Sequence, residues 1–265
     1  MSGRARPPRQ RRAELSQHFL RDASAARLVR ATSLSRSDLV IEIGAGRGAL
    51  TRPLTKVAGK VIAVELDRNL VAKLRGDLTG NLEVVAADFL KFDPPAQPYS
   101  VVGNIPFART TDIIRKLSGE AHPPEDAWLV VQRELAHRMC GLPYGRENLW
   151  SLRLKPSWHL EVVGRLKRAE FDPPPAMNSV FLHMKHRGRT IIQPREMPEY
   201  LELIEGAFGR NAPLVQALRP QLSKLQLRRL AADLAFNTDD MPSDLMFEQW
   251  LGIFRFYRTT NAQQQ

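Results

Sequence analysis

A chain of 265 residues with 43% hydrophobic content can bury one large α/β domain plus a smaller companion, which excludes global disorder. A net charge of +11 and a pI near 10.3 point to a polyanionic partner, and a lone cysteine, Cys140, excludes an internal disulfide and a cysteine-built metal site. No apolar run reaches the roughly 20 residues that cross a bilayer, and Ser2 to Arg12 has no signal-peptide core. A cytoplasmic protein without membrane attachment is therefore expected.

Taken in chain order, residues 1–12 read as a disordered basic arm, with Arg4, Arg6, Arg9, Arg11 and Arg12 and not one acid. Residues 1–30 hold eight Arg against two acids, residues 31–131 are balanced at twelve each, and residues 132–170 hold eight bases against four acids. Two basic stretches thus flank a neutral one suited to a small-molecule pocket. An arginine-rich surface with no partner is the bland alternative; it accounts for scattered Arg but not for the first twelve residues. A short helix is predicted from Ala23 to Ala31. Leu39–Ile43, Val61–Val64, Leu82–Val85, Ser100–Val102 and Trp128–Val131 then read as buried strands bounded by Gly, Asp, Pro or Asn. Their alternation with helical stretches predicts a mostly parallel, doubly wound α/β sheet. Leu160–Leu166 and Val180–Met184 bracket a Pro-rich loop and predict an antiparallel edge hairpin.

Beyond about Lys185 only helical spacing remains. Tyr200, Leu203, Ile204 and Ala207 form one stripe, Leu227, Leu230, Ala231 and Leu234 a second, and Phe247, Trp250, Leu251 and Phe254 a third. Three such helices predict a small bundle whose aromatic stripe is core. The expected division is an arm at 1–12, an α/β domain at 13–184, a helical domain at 185–260 and a tail at 261–265.

Three strand ends carry the chemistry. After the first strand, Gly44, Gly46 and Gly48 allow a sharp turn and a close backbone approach to a ligand. The second ends at Glu65, where a carboxylate can accept from ribose hydroxyls, and the third at Asp88, where one can accept from an adenine amine. Each alone reads equally as a solvated acid; in series they describe an adenosyl pocket. After the fourth strand comes Asn104-Ile105-Pro106-Phe107. An adenine amine is a poor nucleophile because its lone pair is delocalised into the ring. A carboxamide oxygen and a backbone carbonyl that accept its two N–H bonds draw the nitrogen towards sp³ geometry and aim the lone pair. Pro106 fixes the turn, and Phe107 offers a face to an extruded base. An Asn-Pro turn of purely structural use is the competing reading.

From Gln17 to about Lys185 the chain resembles the rRNA adenine dimethyltransferases. Gln17-His18-Phe19-Leu20 is similar to that family's Gln-Asn-Phe-Leu segment, which covers the cofactor. Asn104-Ile105-Pro106-Phe107 followed by Thr111-Asp112-Ile113-Ile114-Arg115-Lys116 resembles the Erm macrolide-resistance branch more than the small-subunit branch. Phe171-Asp172-Pro173-Pro174-Pro175 through Ser179 is similar to the loop beside the target base. The resemblance implies a Rossmann-like class I methyltransferase using S-adenosyl-L-methionine, with His18, Leu20, Gly44, Gly46, Glu65, Asp88 and Asn104 at the cofactor. It places Phe171 towards RNA; the amine chemistry makes Asn104 to Phe107 the expected catalytic segment, with Phe107 towards the base and no metal needed, and charge directs the arm's arginines to RNA. The partner implied is large-subunit (23S) ribosomal RNA in protein-free form, methylated by a monomer on an adenine N6 amine, with macrolide-type resistance as the outcome. His18 in place of Asn, Phe107 in place of Tyr, and Ala176-Met177-Asn178 in place of Lys-Val-Asp depart from the family pattern. The readings left open are a small-subunit dimethyladenosine transferase of ribosome assembly, a DNA adenine methylase, and a non-catalytic nucleic-acid-binding protein on the same fold.

Overall fold

A computed structural model describes residues 18–77 and 80–262. It opens with a two-residue strand β1 (Phe19–Leu20) and helix α1 (Asp22–Arg30). An acid in the first turn of α1 and Arg27 and Arg30 in its last suit the helix dipole, and Ala25, Leu28 and Val29 face the core. There follow β2 (Leu39–Ile43), α2 (Thr51–Val57), β3 (Lys60–Glu65), α3 (Arg68–Asp77), β4 (Leu82–Ala86), β5 (Ser100–Asn104), α4 (Thr110–Gly119) and β6 (Asp126–Gln132). After α5 (Arg133–Cys140) and α6 (Leu149–Leu154) come β7 (Trp158–Leu166), β8 (Phe171–Asp172) and β9 (Ser179–His186).

Seven strands form one sheet in the order β4-β3-β2-β5-β6-β9-β7. The first five are parallel, and β9 runs antiparallel to β6 with Val130 opposite Phe181. Every residue of β2 is buried, as a strand covered by helices on both faces must be. The five predicted strands all appear, each lengthened by at most two residues at an end, but β4, expected to be buried, is an edge strand in which only Val84 is buried. The two strands of the expected edge hairpin lie side by side at one end of the sheet, with β7 at the edge and, between it and β6, β9. Its Val180, Phe181, Leu182 and Met184 are almost wholly buried, too apolar for an edge position.

Two compact units divide the chain: residues to 136 with 161–186, and residues 137–160 with 187 onward. Residues 137–160, expected within the α/β domain, thus group with the C-terminal helices. The first unit's core gathers Leu20, Leu28, Val40, Leu54, Val102, Trp128, Phe171 and Phe181. In the second, α7 (Met197–Gly209), α8 (Leu214–Ala217), α9 (Lys224–Leu234) and α10 (Phe247–Ala262) enclose Tyr200, Leu203, Leu227, Trp250 and Phe254. The α9 start is a capping box, Ser223 accepting from Gln226 N at 3.3 Å while Ser223 N donates back to the Gln226 side chain at 2.8 Å. A Cβ on Gly252 would lie 2.6 Å from the Leu234 side chain, so this glycine lets α9 and α10 approach. Inside the same unit the fully buried Glu147 carboxylate is neutralised by Lys155. Among the described residues no helix is long and apolar enough to cross a membrane.

Candidate active site

The sheet order reverses between β2 and β5, and in open α/β sheets ligands bind at the carboxyl ends of the strands beside such a switch. Gly44 leaves β2 there and Asn104 ends β5.

Backbone geometry builds the cofactor half. Gly44 N donates to Val64 O at 2.9 Å, and the chain then turns through φ of +68° at Gly44 and +58° at Gly46. A side chain would be strained at both. Nothing lies within 4 Å of a Cβ built on Gly44, so the turn faces open space, whereas one on Gly46 would sit 3.0 Å from the Phe19 ring. Glu65 is 5% exposed, with Oε2 accepting from Gly46 N and Oε1 from Asp67 N, both at 2.8 Å. Each oxygen keeps a lone pair for a further donor. The apolar Leu66 directly after it stands 60% exposed. Asp88 caps the turn Phe89–Lys91 through Leu90 N at 3.0 Å, and its other oxygen is 3.7 Å from the Arg109 guanidinium. Beneath the glycine turn, burial pushes the Glu42 carboxyl up to about 7, Thr51 opposing and the Glu65 carboxylate reinforcing the rise. Glu42 Oε2 has no hydrogen-bond partner among the described residues.

The other half is assembled from distant segments. Asn104 Nδ2 donates to the His18 carbonyl at 2.6 Å, and His18 Nδ1 donates to the Pro173 carbonyl at 2.9 Å. The His18 and Phe107 ring centroids are 5.8 Å apart. Ile105 N bonds Val130 O at 3.1 Å and its side chain is 1% exposed, which anchors the segment to β6. The Pro106 carbonyl accepts from Arg109 N at 2.9 Å and Thr110 Oγ1 at 3.3 Å, fixing the turn (Phe107–Arg109) that leads into α4. A small antiparallel pairing of β1 with β8 sets Phe19 opposite Asp172 and Leu20 opposite Phe171. Arg47, from the glycine turn, lies 4.3 Å over the Phe19 ring and 3.2 Å from the Asp172 carboxylate. Arg21 donates to Ala169 O at 2.9 Å, and Glu170 accepts from Arg27 at 2.7 Å and Ser24 at 3.1 Å. Partial burial works against ionisation of Glu170, but the Lys167 N–H and the Arg27 guanidinium prevail and lower its pKa.

His18, Asn104 and Phe107 therefore adjoin, Gly46 and Glu65 adjoin, and Arg109 brings Asp88 next to the segment Asn104-Ile105-Pro106-Phe107. Two expected roles change. Phe171, expected to face RNA, is fully buried in the first unit's core, because its place opposite Leu20 turns the ring inward. Leu20 is 6% exposed and belongs to the same core, so only its backbone can face a ligand. Arg4, Arg6, Arg9, Arg11 and Arg12 lie outside the described residues. Sequence reasoning passed over Arg47, Leu66 and Arg109. The signals were present: a basic residue inside the glycine turn, an apolar one after Glu65, and a basic one two residues past Phe107.

A glycine turn with acids at successive strand ends defines a Rossmann-like fold of the kind that takes a nucleoside-bearing cofactor. The chain belongs to the ribosomal RNA adenine dimethylase family, whose model matches residues 9–258. It is 31% identical to the mycinamicin-resistance protein MyrB of Micromonospora griseorubida, over 93% of this chain and 79% of that one. It is also 31% identical to ribosomal RNA small subunit methyltransferase A of Rubrobacter xylanophilus, over 96% of this chain and 97% of that protein. Among solved structures, 23S rRNA methyltransferase ErmE superposes with a TM-score of 0.83 at 29% identity, covering 91% of this chain and 99% of that one.

Proposed function

We propose that this protein methylates the exocyclic N6 amine of an adenine in large-subunit (23S) ribosomal RNA and so confers macrolide-type resistance. The observation that carries the chemistry is the run of acceptors along one sheet edge: Glu65 ends β3, Asp88 follows β4 and Asn104 ends β5. The residues present fit S-adenosyl-L-methionine: an open cradle at Gly44, two acids with unused lone pairs and an exposed apolar side chain at Leu66. When bound, that group supplies an electrophilic methyl on a sulfonium.

Glu65 would hold it through the ribose hydroxyls, Asp88 through its adenine amine, and Leu66 by packing against the purine. Asn104 Oδ1 accepts one N–H of the target amine. With both lone pairs of the Pro106 carbonyl engaged, the Ile105 carbonyl would take the second, which would fix the direction of the nitrogen lone pair. Phe107 stacks on the flipped base. Once methylated, the nitrogen is cationic and acidic, and its proton passes to water without a dedicated base. A base in a loop or bulge is the cheapest to swing out, because its neighbours are already splayed.

Equal identity to a resistance protein and to a small-subunit enzyme leaves the choice of RNA to finer features. Asn104-Ile105-Pro106-Phe107, the segment Thr111 to Lys116 and the likeness to ErmE favour the large subunit. The test is to incubate purified protein and labelled cofactor with each protein-free rRNA in turn. Label in one adenine of 23S rRNA is expected. Label in adjacent adenines of the small-subunit RNA alone would overturn the target, and label only in duplex DNA would overturn RNA altogether.

A further inference from the structure

An asparagine side chain is nearly symmetric in shape, so packing alone does not decide which way its oxygen and nitrogen point. At Asn104 the decision belongs to the partner. The His18 carbonyl can only accept, and 2.6 Å is too close for two oxygens that each bear only lone pairs. The amide NH₂ must therefore face His18. Oδ1 is turned away from it and has no hydrogen-bond partner among the described residues. The catalytic oxygen is aimed by a main-chain atom 86 residues earlier in the chain.

What holds that atom is the His18 side chain. Phe19 is the first paired residue of β1, so the His18 carbonyl sits just outside the ladder. The Pro173 carbonyl is likewise an acceptor only, so the hydrogen in the 2.9 Å contact is on His18 Nδ1. One residue thus donates to the Pro-rich loop, accepts from Asn104 and flanks Phe107. We infer that His18 is a positioning residue whose imidazole N–H, anchored on Pro173, orients the Asn104 carboxamide for the target amine. The inference rests on the reading that Asn104 Oδ1 receives that amine.

It also accounts for the departure from the family pattern at this position. An asparagine Nδ2 and a histidine Nδ1 both sit one atom beyond Cγ, and both can donate to the same carbonyl. His18→Phe keeps a ring against Phe107 and removes the donor; His18→Asn keeps the donor and removes the ring. At saturating cofactor and RNA, His18→Phe is expected to lose about tenfold to a hundredfold in kcat, the scale of a small misalignment at the reacting atoms. His18→Asn should stay within about threefold of the parent, since the hydrogen bond is retained. The melting temperature should be alike in both variants, and because kcat is read at saturating cofactor, a change in cofactor affinity at His18 does not enter the comparison. Independently of turnover, the Asn104 side-chain amide protons followed by ¹⁵N NMR should be exchange-protected in the parent and in His18→Asn, and lose that protection in His18→Phe.

Equal protection in all three proteins overturns the inference whatever the activities are. So does a parental kcat in His18→Phe, or equal damage in both variants. Should protection behave as expected while Asn104→Ala still methylates at the parental rate, the reading of Asn104 as amine acceptor is what fails, and His18 then orients a side chain that is not catalytic.

Discussion

The two halves of the crevice are built differently. The half proposed for the cofactor is local: Gly46 and Glu65 are 19 residues apart, Asp88 is bonded to Leu90, and each lies at or just beyond the end of a sheet strand. The amine half is held by bonds spanning 86 residues from Asn104 to His18 and 155 from His18 to Pro173. On the proposed reading the cofactor is served by rigid backbone, and the base, which must enter and leave, by an acceptor whose aim depends on a seam between distant segments.

Substitutions can break or sharpen this contrast. The largest effect should come from Asn104→Ala: a loss in kcat on the order of 10²–10³, comparable to removing one preorganised donor or acceptor from a transition state. Cofactor affinity should be largely retained. Single-turnover rates beside a binding isotherm check both, and equal losses in the two would erase the division into halves.

Next is Glu42, beneath the glycine turn. Its pKa is raised by burial to about 7 in the folded protein, against 4.5 as its ordinary value. A raised carboxyl favours the folded state below the unfolded pKa. That advantage is lost as pH climbs from about 4.5 to about 7. Glu42→Gln cannot ionise, so it should gain on the parent across that window by up to about 3 kcal/mol. Denaturant melts at pH 4.5 and 7.5 measure the difference; a gap that does not widen with pH would contradict the buried, ionisable state.

Asp88→Ala should weaken cofactor binding by about 1–3 kcal/mol through loss of one acceptor, read by calorimetry. Turnover at saturating cofactor should fall much less than in Asn104→Ala. A deficit confined to kcat would assign Asp88 to the amine half instead. The smallest effect should follow deletion of residues 1–12, which leaves both halves intact and removes five Arg. If they touch RNA phosphates, the log–log salt slope shrinks by up to about 0.7 per lost contact. An unchanged slope would mean that the arm does not touch RNA.

The same contrast explains what could be read from the sequence. Leu39–Ile43 and its four companions were legible because runs of β-branched and aliphatic residues ending at Gly, Asp or Asn are local signals, and the cofactor acids sit at their ends. The β1–β8 pairing was not legible: two-residue strands have no periodicity, and their register, Phe19 to Asp172, is set by tertiary packing. For that reason Phe171, an aromatic before three prolines, looked like a surface ring when it is core. His18, Arg47 and Asp172 form a connected set only in three dimensions. Residues 137–160 carry apolar spacing that fits either unit, and only their packing assigns them to the helical one.

The insertion of β9 between β6 and β7 also has a consequence for the order of synthesis. Until Ser179–His186 has been made, β6 is an open edge with Trp128 and Val130 lacking Phe181 and His183 beside them. The loop bearing Pro173 is pinned at the same moment, because Arg133 N bonds Asn178 O at 3.0 Å just before β9 begins. In chain order the glycine turn, Glu65 and Asp88 therefore precede the Pro173 carbonyl that His18 holds. Among the described residues the seven-stranded sheet is therefore complete only once Ser179–His186, the last strand in the chain, has joined it.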